Sequence, residues 1–301
     1  MELRQVEFAS EGVILRGDLF TPSGGGPFPA VVMGGGWCYV KELIQPDYAK
    51  YFVDAGFACL IFDYRNFGES DGTPRQHINP WEQIEDYRNA ISFVSEQPEV
   101  DDGRIAAWGI SYSGGHVLIL GAIDPRVSVV CSVVPMVNGL YNMRRANSNV
   151  GFRALMDLID SDRANRYAGE GHGRILHSAH PHEAVSTWPS PDTWPVFKKL
   201  KETTAPNHEH WSTVASAEWV LTYDVAPFLE RIISTPTLLV LSKYDDITMT
   251  EIEVPYFQRI ASPTKRCVQI GAGASHMSIY DNPNHLDIAA SACRDWLVEH
   301  L

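Results

Sequence analysis

Basic residues are scarce in this chain: 24 Lys and Arg stand against 37 Asp and Glu, a formal net charge of −13. Nucleic acid and anionic membrane surfaces carry the same sign and would be repelled before contact, so neither is expected as a partner. Cysteine is sparse as well. The five cysteines (Cys38, Cys59, Cys131, Cys267 and Cys293) are odd in number, scattered, and mostly set in apolar strand-like runs. Small buried hydrophobes are therefore expected, and a disulfide framework is not. No apolar run approaches the roughly 20 residues that span a bilayer. The first residues carry charges at Glu2, Arg4 and Glu7 where an export signal needs an apolar stretch, so the reading is a cytoplasmic protein. There is no internal repeat and no low-complexity segment.

What is present is an ordinary globular mixture, 45% hydrophobic over 301 residues, enough for a large core in one domain or two. Its order is informative. In the first half, short β-branched runs alternate with helical periodicity, which is how a mostly parallel sheet covered by helices is written. Val13 to Phe20 forms an opening strand and Pro29 to Met33 a second, running into Gly34-Gly35-Gly36. Tyr48, Tyr51, Phe52 and Ala55 share one helical face, with Gly56 placed to end the helix. The strand Ala58 to Phe62 follows, then a helix carrying Ile84, Tyr87, Ile91 and Val94, the strand Arg104 to Gly109, an apolar helix through Leu120 and the strand Val127 to Val134. From about Met136 to Tyr223 the alternation stops, and the chain becomes helical, Trp- and His-rich and punctuated by prolines. It resumes with a strand at Thr237 to Leu241, a helix holding Ile252, Tyr256 and Ile260, a strand at Cys267 to Ile270 and a closing helix with Ala289, Ala292 and Trp296. The expected division is a discontinuous core, 1–135 with 225–301, and an inserted cap, 136–224.

Gly109-Ile110-Ser111-Tyr112-Ser113-Gly114-Gly115 lies where a strand ends and a helix begins. A serine on such a tight turn is lifted clear of the sheet, and the helix N-terminus is aimed at charge developing beside it. The strand and helix backbones nearly touch at the bend, so small residues are needed two before and two after; Gly109 and Ser113 meet this. A serine hydroxyl attacks only when a base takes its proton and an acid orients the base. With a turn of this kind the acid and then the histidine follow along the chain, each past a strand end. Asp245 stands at the expected distance past Leu239 to Ser242, with Asp246 as the alternative. His276 follows the small-residue loop Gly271 to Ser275. Two backbone amides must face the oxygen that becomes negative: that of Tyr112, directly after Ser111, and, by position, that of Trp37 in the loop Gly34 to Tyr39. This glycine loop is no phosphate cradle, because neither a Lys-Ser/Thr pair nor a G-x-G-x-x-G pattern accompanies it.

Taken together these residues resemble the α/β-hydrolase superfamily over the whole chain outside the insertion. The segment Phe62 to Gly72 resembles that family's structural loop of Asp, Arg, Gly and Ser near the site. Val32 to Trp37 with Val40-Lys41-Glu42, and Ser111 to His116, resemble the dienelactone-hydrolase-like branch that includes fungal polyketide transferases. Members of that branch usually carry a His-Gly pair where this chain has Gly35-Gly36. Gly109 to Gly114 is also similar to the motif of X-prolyl dipeptidyl peptidases and cocaine esterase, which carry a further β-domain that this chain has no room for. The resemblance implies an α/β-hydrolase fold with a mostly parallel central sheet, helices on both faces and a helical cap after the sixth strand. It implies a serine hydrolase acting on an ester, lactone or thioester through an acyl-Ser111 intermediate. An acyltransferase of secondary metabolism would use the same residues; a peptidase or amidase, and an inactive receptor-like hydrolase, are lesser alternatives.

By the resemblance, an insertion at this place forms a lid over the serine. Together with Tyr39, its Met143, Phe152, Trp188 and Trp211 are the candidate pocket residues, although most aromatics there should anchor the insertion's own small core. His180-Pro181-His182 and His208-Glu209-His210 invite a metal reading, but without cysteines or a third ligand they read as surface or loop residues. No metal and no cofactor are expected. The expected partner is a small-molecule acyl substrate, and a homodimer is left open.

Overall fold

The apolar runs of the first and last thirds come together as one eight-stranded sheet in the computed structural model, which describes residues 1–271 and 273–301. Ala272, within the small-residue loop before His276, lies outside the described residues. Two strands open the chain, β1 (Glu2–Ser10) and β2 (Val13–Thr21), paired as an antiparallel ribbon. The first carries little signal in the sequence, because its leading residues are exposed and only Val6, Phe8 and Ser10 turn inward, too short an alternation to register. Then follow β3 (Phe28–Gly34), α1 (Gln45–Asp54), β4 (Ala58–Phe62), α2 (Pro80–Ser95), β5 (Val100–Ile110), α3 (Tyr112–Ile123) and β6 (Val127–Val133).

Between β6 and the next strand of the main sheet lie α4 (Gly139–Ala146), α5 (Asn149–Tyr167), β7 (Arg174–Ser178), β8 (Ser186–Trp188), α6 (Thr193–Thr203), β9 (Trp211–Thr213), α7 (Val214–Thr222) and α8 (Ala226–Leu229). The main sheet resumes with β10 (Thr237–Ser242), α9 (Thr250–Arg259), β11 (Lys265–Ile270), α10 (Ser278–Asp281) and α11 (Pro283–His300). Besides these helices the segment holds a three-stranded sheet in the order β8-β7-β9, which the sequence reading does not include. Strands of three to five residues rich in His, Ser and Thr show no period of their own, which is why they escape a sequence reading.

The main sheet runs β1-β2-β4-β3-β5-β6-β10-β11, antiparallel through the first two pairings and parallel from β4 to β11. Every residue of β4 and β10 is buried, the continuous apolar writing expected of parallel strands covered on both faces. Helix α1 packs on α11, and α2 packs on α3, which also meets α8. Edge position explains one departure: Cys267, expected to be buried, is exposed on β11, the last strand of the sheet, whereas the other four free cysteines are buried.

The loop after β4 is tied down by charge. Arg65 pairs with the fully buried Asp86 of α2 through Nη2 at 2.7 Å, and Nε adds a second contact at 2.9 Å. Asp63 receives the amides of Lys41 and Glu69, at 2.7 and 2.9 Å, and so binds this loop to the one that follows β3; burial pushes its pKa up to about 7. Arg65→Ala would strand the Asp86 carboxylate in the interior, and a loss of about 3–5 kcal/mol in unfolding free energy is expected from denaturant melts.

Candidate active site

Ser111 caps the start of α3 at φ 57° and ψ −117°, a conformation L-residues seldom hold, and its own backbone bonds keep it there. Its amide donates to the Val133 carbonyl at 2.9 Å, and its carbonyl accepts from Met136 at 2.9 Å. The requirement for small neighbours is met in detail. A Cβ on Gly109 would stand 2.2 Å from the Ser113 carbonyl oxygen, so no larger residue fits. At the second small position Ser113 is buried rather than merely tolerated: its hydroxyl donates to the Gly34 carbonyl at 2.5 Å and clasps the helix to the glycine loop.

Strand register brings the other groups to the same edge. Gly34, closing β3, is in register with Gly109 of β5, so the glycine loop and the serine leave the sheet side by side. Likewise Ser242 of β10 is level with Ile270 of β11, which delivers Asp245 and His276 to adjacent positions. His276 Nε2 lies 3.2 Å from Ser111 Oγ, and His276 Nδ1 lies 2.8 Å from Asp245 Oδ2. A carboxylate only accepts, so the imidazole proton sits on Nδ1 and the lone pair of Nε2 faces the hydroxyl. Both partners of the serine are buried, as the short bonds require.

Of the two adjacent acids, Asp245 makes this contact. Burial alone would raise its pKa, but His276 and the amides of Ile247 and Thr248, at 2.9 and 2.7 Å on Oδ1, hold it below the ordinary carboxylate value. Asp246 is shifted the other way, up, by burial and by Asp245 beside it. His116, on the helix that Ser111 opens, turns away to Tyr223 at 2.8 Å and Gln83 at 3.1 Å.

The glycine loop closes over the serine: a Cβ on Gly36 would lie 3.0 Å from the Cβ of Ser111 and 3.0 Å from the Tyr39 ring. Trp37 and Tyr112 meet edge to face with centroids 5.2 Å apart, which fixes the glycine loop against the residue that follows Ser111. In Gly36→Ala the loop must shift by a few tenths of an ångström at the serine. A fall in kcat of about 100-fold on an activated ester is expected, with an unchanged circular dichroism spectrum as the control.

Ser111 and His276 open on a cavity shared with Trp37, Tyr39, Tyr112, Trp188, Phe197 and Tyr280, which leaves only about 20 Å³ for the centres of water-sized molecules. The hydroxyl of Tyr112 is buried without a hydrogen-bond partner, whereas those of Tyr39 and Tyr280 face each other, with Tyr280 also turned toward Ser111.

The chain matches the X-Pro dipeptidyl-peptidase (S15) family over residues 11–276. It belongs to that family. Its members share the α/β-hydrolase fold seen here, and this S15-family chain is an enzyme, a serine hydrolase or acyltransferase. It is 30% identical to a polyketide transferase, af380, of Aspergillus fumigatus, over 93% of this chain and 92% of that one. It is 27% identical to the thiohydrolase aneE of Aspergillus aculeatus, covering 98% and 90%. Among solved structures it superposes on the α/β-hydrolase GrgF of Penicillium with a TM-score of 0.83 at 25% identity, over 100% of this chain and 99% of that one. No helix among the described residues is long and apolar enough to cross a membrane.

Of the pocket residues expected in this S15-family chain, Tyr39 and Trp188 line the cavity and three do not. Met143 is fully buried on α4, which packs on α7 within the insertion. Phe152 is half-buried on α5 beneath the Arg144 guanidinium, 4.7 Å from its ring centre. Trp211 faces an outer groove with Trp194 and carries Arg174 over its ring at 4.1 Å. In their place stand Phe197 and Tyr280, together with His177, which no motif marks. The aromatic composition of the insertion is legible in the sequence, but which rings point inward depends on how α6 seats on the core, and Tyr280 of α10 carries no signal of its own.

The histidines correct the sequence reading too. His180 and His182 are exposed, but His208 is fully buried and His210 half-buried. Burial lowers the pKa of His208 to about 4 and of His210 to about 3, so both are neutral at neutral pH. Cys38 is buried, with its thiol donating to the Trp211 carbonyl at 3.3 Å and its pKa raised by burial, which suits a packed group and not a nucleophile.

Proposed function

We propose that this chain cleaves an acyl thioester or ester through an acyl-Ser111 intermediate, with segment 136–224 acting as a cap. One observation carries the reading: the hydrogen-bonded chain from Ser111 through His276 to Asp245, at 3.2 and 2.8 Å, beside a narrow cavity. In the first half-reaction His276 Nε2 takes the Ser111 proton as Oγ bonds to the acyl carbon, and Asp245 steadies the imidazolium. The amides of Trp37 and Tyr112 hold the oxyanion, and His276 then returns the proton to the departing thiolate or alkoxide. In the second, an acceptor loses its proton to His276 as it bonds to the acyl carbon, and His276 returns that proton to Ser111 Oγ as the acyl–oxygen bond breaks.

Relatives named polyketide transferase and thiohydrolase support acyl chemistry. The unpartnered phenol of Tyr112 supports an acyl chain that carries an oxygen atom, since such a chain would satisfy a donor that a plain alkyl chain leaves bare. The space beside Ser111 is enough for about one water and no acyl group. Binding therefore requires Trp188 and Phe197, both from the insertion, to move.

The same narrowness favours transfer to an alcohol or amine as the second reading, because a seated acyl chain would exclude water. An activated thioester is expected to produce an acyl-enzyme visible by mass spectrometry. If transfer operates, added alcohol or amine speeds its decay and appears in the product; indifference to the acceptor leaves hydrolysis alone. No acyl-enzyme at all would remove both readings.

A further inference from the structure

His177 on β7, with His208 and His210 just before β9, brings three imidazoles together in the insertion, their donor atoms all within 4.8 Å of one another. His208 Nε2 and His210 Nδ1 are 3.2 Å apart. Two nitrogens that each ligate one tetrahedral ion at about 2.0–2.1 Å stand about 3.3 Å from each other. The far side of each ring is already held. His208 Nδ1 donates to the Cys38 carbonyl at 3.1 Å, and His210 Nε2 meets Ser178 Oγ at 2.7 Å. Outer hydrogen bonds of this kind fix the tautomer and the aim of a ligating imidazole.

His177 supplies an independent observation. It is 4% exposed, and its Nδ1 has no hydrogen-bond partner. A hydrogen bond from His210 to His208 would account for the first pair of nitrogens but leaves the third orphaned, a costly arrangement in the interior.

We propose that His177, His208 and His210 bind a divalent transition-metal ion of the zinc class, which pins the roof of the Ser111 cavity to the glycine loop. An all-imidazole donor set suits zinc and its d-block neighbours and disfavours calcium and magnesium, which take oxygen ligands. The position explains the pinning. His177 lines the cavity beside Ser111, His210 lines the outer groove, and His208 holds the carbonyl of Cys38, next to Trp37. The ion therefore lies in the wall between cavity and groove. Three imidazoles leave a fourth position for water, and the acyl chemistry of Ser111 does not pass through the ion.

The test uses the full chain without a histidine tag, stripped with a chelator and dialysed against Zn²⁺. One equivalent per chain is expected by elemental analysis, with an upward shift in melting temperature, and Co²⁺ in its place should show the intense visible bands of a tetrahedral site. His208→Gln and His210→Gln should each weaken Zn²⁺ binding by about 100-fold or more, whereas replacing both His180 and His182 by Gln should change nothing. Ser178→Ala keeps all three ligands and should still weaken binding by about 10-fold, which covers the case of a ligand variant that fails to fold. Absence of stoichiometric uptake by the wild type, uptake that survives His208→Gln in folded protein, or uptake that follows His180 and His182 would overturn the proposal.

Discussion

Ser111→Ala is expected to lower kcat on any accepted ester or thioester by about a million-fold and to abolish covalent labelling by a fluorophosphonate. The substitution keeps the Cβ, so the positive-φ turn gains no new strain. The fold should survive, and the loss can then be assigned to the hydroxyl. The nearest other serine in sequence, Ser113, does not replace it, being fully buried and committed to the Gly34 carbonyl. Labelling of the variant at the wild-type rate would place the nucleophile elsewhere and remove the mechanism. Unchanged circular dichroism is the necessary companion measurement.

The second large effect is expected from Asp245→Asn, about 10,000-fold in kcat with little change in KM. Three backbone amides, of Ile247, Thr248 and Met249, converge on Asp245 Oδ1. They require an oxygen there, so the amide nitrogen of the replacement must face His276 Nδ1. That nitrogen only donates, so Nδ1 must give up its proton and Nε2 must carry one. A protonated Nε2 cannot accept from Ser111, and the base is blocked although every atom stays near its place. Asp246→Asn touches none of these bonds and is expected to leave kcat within about threefold, well inside the range of substitutions that miss the chemistry. Equal losses in the two variants would show that local charge, and not tautomer control, carries the effect.

How much of this was legible beforehand follows the range of the interactions. The turn at Gly109 to Gly115 is a local feature, since two backbones packed at a bend admit only small residues, and it reads directly from seven letters. His276 was legible because it ends a small-residue loop past the last strand. Asp245 was preferred over Asp246 only by its distance from the strand; the register of β10 against β11 is what sets it 2.8 Å from the imidazole. The pocket was legible only in composition. Met143, Phe152 and Trp211 have the right chemistry, but a helix or strand of the insertion has two sides, and tertiary packing chose the one that faces away from Ser111. His177 and β1 carried no signal of their own, being a single histidine in a five-residue strand and a strand with a mostly exposed start.

The sequence by itself determined the alternation of buried strands and helices, the strained serine turn, and the order in which serine, acid and histidine follow one another, because each of these is enforced by neighbours along the chain. The tertiary structure decided which acid meets His276, how narrow the cavity beside Ser111 is, and that His177 joins His208 and His210. Those outcomes depend on strand register and on how the insertion seats upon the sheet, and both are set by contacts between residues far apart in the chain.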